Sequence, residues 1–189
     1  MTNLFALKNR CYITMIITIA IWGLLVFTYF HGGVPKHHLL NRSDLPAVSN
    51  WWGGLVLPAL SWLLLYRIQE RLVRSSIEIK VLKTLTGNTI YRLLAALLFG
   101  ILLSLFFSFG YEDIPGYMLM GTFIVALFIP IYRSECLLGF VIGMSMTFGA
   151  VLPTLIGSVL ILIYGIIYLV LRAFVLYIAG KLAGTKTQQ

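Results

Sequence analysis

Of 189 residues, 60% are hydrophobic and 11% charged, against about 45–50% and about 25% in ordinary soluble domains; with a mean hydropathy of +0.95, no stretch outside the apolar blocks is long enough to build a soluble core. The net charge of +8 does not point to nucleic acid, because the fourteen Lys and Arg are spread over the ends of hydrophobic segments and form no single basic face. The two cysteines, Cys11 and Cys136, match no metal spacing and fall at ends assigned below to a reducing compartment, so a disulfide is not expected.

A helix needs about 20 residues to cross a hydrocarbon core of roughly 30 Å, and that length divides the chain into one integral membrane domain with six spans. The first span, 11–30, follows Lys8 and Arg10 and lacks a small-residue cleavage site, so it reads as a retained anchor. The second, 51–66, opens at Trp51 and Trp52, with Ser49 or Asn50 placed to cap its first turn. A basic connection, 67–91, follows; Glu70 and Arg74 at i, i+4 favour a helical first part, and Gly87 with Asn88 is expected to turn the chain back.

Spans three and four, 93–111 and 114–132, are joined by the acidic turn Glu112, Asp113. Residues 136–171 then give thirty-six positions without a formal charge, which as one helix would be about 54 Å long. The stretch must therefore break, and Pro153 between Gly149 and Gly157 is the expected break, giving spans 136–152 and 154–171. The alternative is five spans plus a re-entrant segment.

Orientation follows from the basic residues. Twelve (Lys8, Arg10, Arg67, Arg71, Arg74, Lys80, Lys83, Arg92, Arg133, Arg172, Lys181 and Lys186) fall at one set of ends, and only Lys36 and Arg42 at the other. The expectation is an all-α, N-in/C-in bundle in the plasma membrane, the inner membrane if bacterial, with the loop 31–50 and the Glu112, Asp113 turn facing outward.

That loop, within HGGVPKHHLLNRSDLPAVSNWWG at 31–53, holds all three histidines, His31, His37 and His38, with Asn41, Arg42, Asp44 and Asn50 close behind. Three readings compete. A divalent metal would use His37, His38 and Asp44 as ligands, since imidazole and carboxylate suit zinc, iron or manganese, although H-x5-H-H matches no standard metal signature. A lipid head group or other anion would sit on Arg42, Lys36 and protonated histidine, with Asn41, Asn50, Glu112 and Asp113 as further binding groups. The plainest reading is that these groups cap helices and satisfy loop backbone. In a metal-dependent or acid–base membrane enzyme, His31, His37, His38 and Asp44 would be the catalytic set.

The expected hydrocarbon core holds no Asp, Glu, His or Lys, which disfavours a proton relay or ion-coupled pump. It does hold small residues at spacing four, Ala96, Gly100, Ser104 and Ser108 on span three and Gly139, Gly143 and Thr147 on span five, read as close packing inside the bundle in preference to a dimer interface. Tyr29, Trp51, Trp52, Tyr111 and Tyr117 form an expected outer aromatic belt. Function is thus expected at the membrane, with lipids as partners. The alternatives are a small-solute carrier or channel, oligomeric or not, and a structural subunit contacting another protein.

Overall fold

The computed structural model describes residues 2–31, 36–38, 47–75, 79–111, 113–171 and 173–174. Six helices carry them: α1 (Thr2–Phe30), α2 (Gly53–Ser75), α3 (Ile79–Ser108), α4 (Asp113–Phe128), α5 (Ser134–Phe148) and α6 (Val151–Ile166). A short antiparallel ribbon of β1 (Lys36–His38) and β2 (Ala47–Ser49) pairs His37 with Val48 and His38 with Ala47. It leads through a 3-10 turn at Asn50–Trp52 into α2, where the Ser49 hydroxyl accepts from the Trp51 amide.

Among the described residues, four stretches are long and apolar enough to cross a membrane: Leu7–Phe30, Asn50–Arg74, Leu85–Ser108 and Val151–Leu171. The helices α4 and α5 are equally apolar but have 16 and 15 residues, spanning about 24 Å and about 22 Å at the α-helical rise.

Two boundaries differ from the sequence reading. Gly87 and Asn88 lie inside α3 and do not turn the chain; α2 ends at Ser75 and α3 already begins at Ile79. A Cβ on Gly87 would meet nothing within 4 Å, so this glycine sits on an open helix face where its flexibility costs helix propensity without breaking the ladder. The break between the last two helices lies at Gly149 and Ala150, four residues before the expected proline. Gly149 has φ +69°, open to glycine and not to other residues, whereas Pro153 is the third residue of α6, where the missing N–H has no helical acceptor to lose. Finally, α6 passes into a π-helical turn, Ile167–Leu171.

The interior follows from the small-residue stripes. The helices α3 and α5 run parallel and make the most extensive contact of the bundle. A Cβ added to Gly100 would stand 2.7 Å from the Phe140 carbonyl oxygen, one on Gly139 2.9 Å from the Leu97 amide nitrogen, and one on Gly143 3.0 Å from the Ile101 amide nitrogen. Only glycine permits that approach, which brings backbone against backbone as small-residue motifs do in membrane helices. Of the stripe on α3, Ser104 is buried and Ser108 is exposed, so the seam ends one turn earlier than the spacing suggests. Leu25, Leu57, Leu64, Ile68, Leu103, Leu138, Val141 and Met144 complete the core between α1, α2, α3 and α5.

Side-chain contacts fix the helix directions. Arg10 lies over Trp62, and Trp22 approaches Trp51, so α1 and α2 are antiparallel. Arg71 meets Glu135, while Gly53 lies beside Ala150, so α2 and α5 are antiparallel too. One end of the bundle therefore gathers Arg10, Arg71, Arg92 and Glu135. The other gathers Tyr29, Trp51, Asn50, the ribbon and the turn at Gly149. Outward-facing apolar residues, such as Ile16, Ile19, Leu63, Met120, Ile124, Phe128 and Leu162, are exposed all round, the pattern of a surface solvated by lipid tails.

Candidate functional site

The densest polar cluster among the described residues stands at the arginine-bearing end. Glu135, in the first turn of α5, is fully buried. Its Oε1 accepts from Arg71 Nη2 of α2 at 2.9 Å, and Arg92 Nη1 of α3 stands 3.7 Å away. Arg71 also donates to the Thr89 hydroxyl at 3.4 Å, and that hydroxyl donates to the Leu85 carbonyl at 2.9 Å. Glu135 Oε2 has no hydrogen-bond partner among the described residues.

Each element brings its part for a local reason. Glu135 sits where the free amides at the start of α5 favour negative charge. Arg133 is the residue before the helix, in extended backbone, with no side-chain capping bond of its own. Thr89 and Arg92 share a face of α3 at i, i+3. The close seam of α3 on α5 sets Arg92 beside the carboxylate, and α2 delivers Arg71 from the opposite direction.

These residues border a cavity of about 170 Å³ lined by Arg71, Asn88, Thr89, Arg92 and Arg133, with Leu72 and Leu85. Three guanidinium groups against one carboxylate leave a local charge of +2. A buried carboxylate is costly unless paired; here it is paired, and positive charge is left over facing the cavity. The lining of forked donors, a hydroxyl and a carboxamide is the chemistry that holds phosphate or carboxylate.

The loop residues singled out from sequence are described only in part. His31 ends α1 and is exposed; its Nδ1 lies 2.9 Å from the Phe27 carbonyl oxygen and its ring stacks on Phe27 at 4.1 Å. It serves there as a helix-end cap. His37 and His38 belong to the ribbon, and their side chains fall outside what is described. Asn41, Arg42, Asp44 and Glu112 lie outside the described residues. Asn50 points to the α5–α6 turn, its carboxamide filling the space a Cβ on Gly149 would need. Asp113 is exposed in the first turn of α4. Among the described residues, no group of three or more His, Cys, Asp or Glu is placed to hold a metal.

Sequence reasoning passed over Glu135 because it adjoins a long uncharged run and looks like the edge of a span. Arg71, Arg92 and Arg133 were counted only as markers of orientation. The available signal was the pair Arg133 and Glu135 opening a thirty-six-residue apolar stretch, since a carboxylate at such a margin needs a cationic partner. No family model matches the chain, and searches of curated proteins and of solved structures return no match.

Proposed function

We propose that this chain is a six-span membrane protein with both ends in the cytoplasm, and that it binds a phosphate-bearing anion at its cytoplasmic end, in the pocket of Arg71, Arg92 and Arg133 around Glu135. The observation that carries this reading is the surplus of two positive charges beside a cavity, with Arg92 only loosely engaged at 3.7 Å. A dianion such as a phosphate monoester would neutralise that surplus, and the 170 Å³ cavity is below the roughly 300–1,000 Å³ typical of sites for drug-sized ligands. It fits a head group and not a whole lipid.

The orientation is supported by the twelve-to-two distribution of basic residues and by the gathering of Arg10, Arg71 and Arg92 at one end. Crossings by α4 and α5 are supported by their apolar sequences and by their packing beside longer helices; the short lengths match a locally thinned bilayer or a small tilt of the others. In this arrangement the ribbon and its histidines face outward, as the loop 31–50 is expected to. The anion site proposed here is separate from that loop and lies at the opposite end, where Arg71, Arg92 and Arg133 line one cavity.

Purified protein should bind both glycerol phosphate in solution and phosphatidate in vesicles if the group recognised is the phosphate monoester itself. Binding of the soluble probe alone would assign a small metabolite, and binding of vesicles alone a lipid. In either case Arg92→Gln should weaken binding about tenfold, the effect of one lost charge-assisted hydrogen bond. Equal binding by wild type and Arg92→Gln, or no binding of either probe, would refute the reading.

A further inference from the structure

A second charged site lies on a different face of α2 and does not depend on the Glu135 pocket. Arg10 of α1 is only 8% exposed, although it carries a full positive charge. Its guanidinium centre stands 3.9 Å from the Trp62 ring centroid and 5.3 Å from that of Tyr66. Among the described residues it makes no hydrogen bond or ion pair, and its Nε is buried without a partner.

Stacking on an aromatic ring engages the face of a guanidinium. The five N–H donors lie in its plane and point outward from its edge. Trp62 and Tyr66 therefore hold Arg10 in place without satisfying its donors, and an Nε removed from water without an acceptor is costly.

Arg10 borders a cleft of about 370 Å³ between α1 and α2, lined also by Leu7, Tyr66, Gln69, Glu70, Val73 and Arg74. Glu70 and Arg74 are bound to each other at 2.5 Å, so their charges cancel and the cleft keeps the single positive charge of Arg10. Leu7 and Val73 make part of its wall apolar. Trp62 and Tyr66, which stand beside Arg10, are of the residue types enriched at membrane–water interfaces.

From this we propose that the cleft binds one phospholipid, whose monoanionic phosphodiester receives the in-plane N–H groups of Arg10 while its acyl chain lies against Leu7 and Val73. The charges match one to one, unlike the doubly positive pocket at Glu135. The stacked ring orients the fork of donors toward a phosphate, a role that an ammonium group cannot fill as well.

Native mass spectrometry of the full chain, exchanged through detergent containing phosphatidylglycerol, tests this directly. Wild type should retain one phosphatidylglycerol per chain. Arg10→Gln should lower retention at least about tenfold, Trp62→Leu and Arg10→Lys should each lower it measurably, and Arg92→Gln should leave it unchanged. If Arg10→Gln does not yield folded protein, Arg10→Lys and Trp62→Leu decide by the same measurement. Wild type retaining no lipid, undiminished retention in the Arg10 and Trp62 variants, or a loss that follows Arg92→Gln would each overturn the proposal. The last result would assign the lipid to the other pocket.

Discussion

Arg71 and Glu135, 64 residues apart in the chain, meet at 2.9 Å and tie the end of α2 to the start of α5. Because Glu135 is fully buried, water cannot take the place of Arg71 at its carboxylate. Removing the carboxylate leaves Arg71 without its charged partner, so Glu135→Ala should destabilise the folded protein by roughly 3–5 kcal/mol. Thermal unfolding in detergent measures it. A double variant, Arg71→Met with Glu135→Leu, should recover much of the loss, since apolar replacement of a buried pair is often neutral; a loss as large as the sum of the single variants would contradict the pairing.

The seam between α3 and α5 makes a sharper steric prediction. Gly139→Ala and Gly143→Ala should each cost about 1–3 kcal/mol, because the added methyl meets backbone that cannot yield. A methyl on Gly121, by contrast, meets nothing within 4 Å, and Gly121→Ala should be neutral or stabilising by up to about 1 kcal/mol. Comparing the unfolding temperatures of the three variants checks it, and equal behaviour of Gly121→Ala and Gly139→Ala would refute the packing.

At the opposite end, Gly149→Ala should cost roughly 1–3 kcal/mol for a backbone conformation reserved to glycine, plus a steric clash with Asn50. Shortening Asn50 in the double variant Asn50→Gly, Gly149→Ala should relieve the clash and leave the backbone cost. A double variant no more stable than Gly149→Ala alone would show that Asn50 does not occupy that space.

Within the bundle, the Thr122 and Tyr164 hydroxyls are hydrogen-bonded between α4 and α6. Tyr164→Phe should cost about 0.5–1.5 kcal/mol without altering phosphate binding, since neither residue lines either cavity. Stability and binding measured on the same sample separate the two effects.

The apolar helices, the close-packed stripes and the one-sided arginines were all legible in the sequence, because each depends on a period or a count along a single segment. The break at Gly149 was not, since proline and glycine both signal an end and only backbone geometry tells which one acts. Gly87 and Asn88 misled for the same reason: a helix tolerates them at exposed positions at a cost in propensity alone. The pairing of Arg71 and Arg92 with Glu135 was hidden because orientation counting sorts residues by membrane face and carries no information about which helices are neighbours. Asp44 and Arg42, which drew attention by their density beside histidine, illustrate the converse: proximity in sequence is visible without geometry, whereas a site assembled from three helices is not.

The charge surplus beside Glu135 is tested most directly by titrating glycerol phosphate, or phosphatidate vesicles if only these bind, against wild type, Arg92→Gln and Glu135→Gln. Glutamine can still accept from Arg71 while raising the local charge from +2 to +3, so Glu135→Gln should bind more tightly than wild type and Arg92→Gln about tenfold more weakly, both differences shrinking as salt is added. Weaker binding by folded Glu135→Gln, or affinities insensitive to both substitutions, would contradict an anion site built from these arginines.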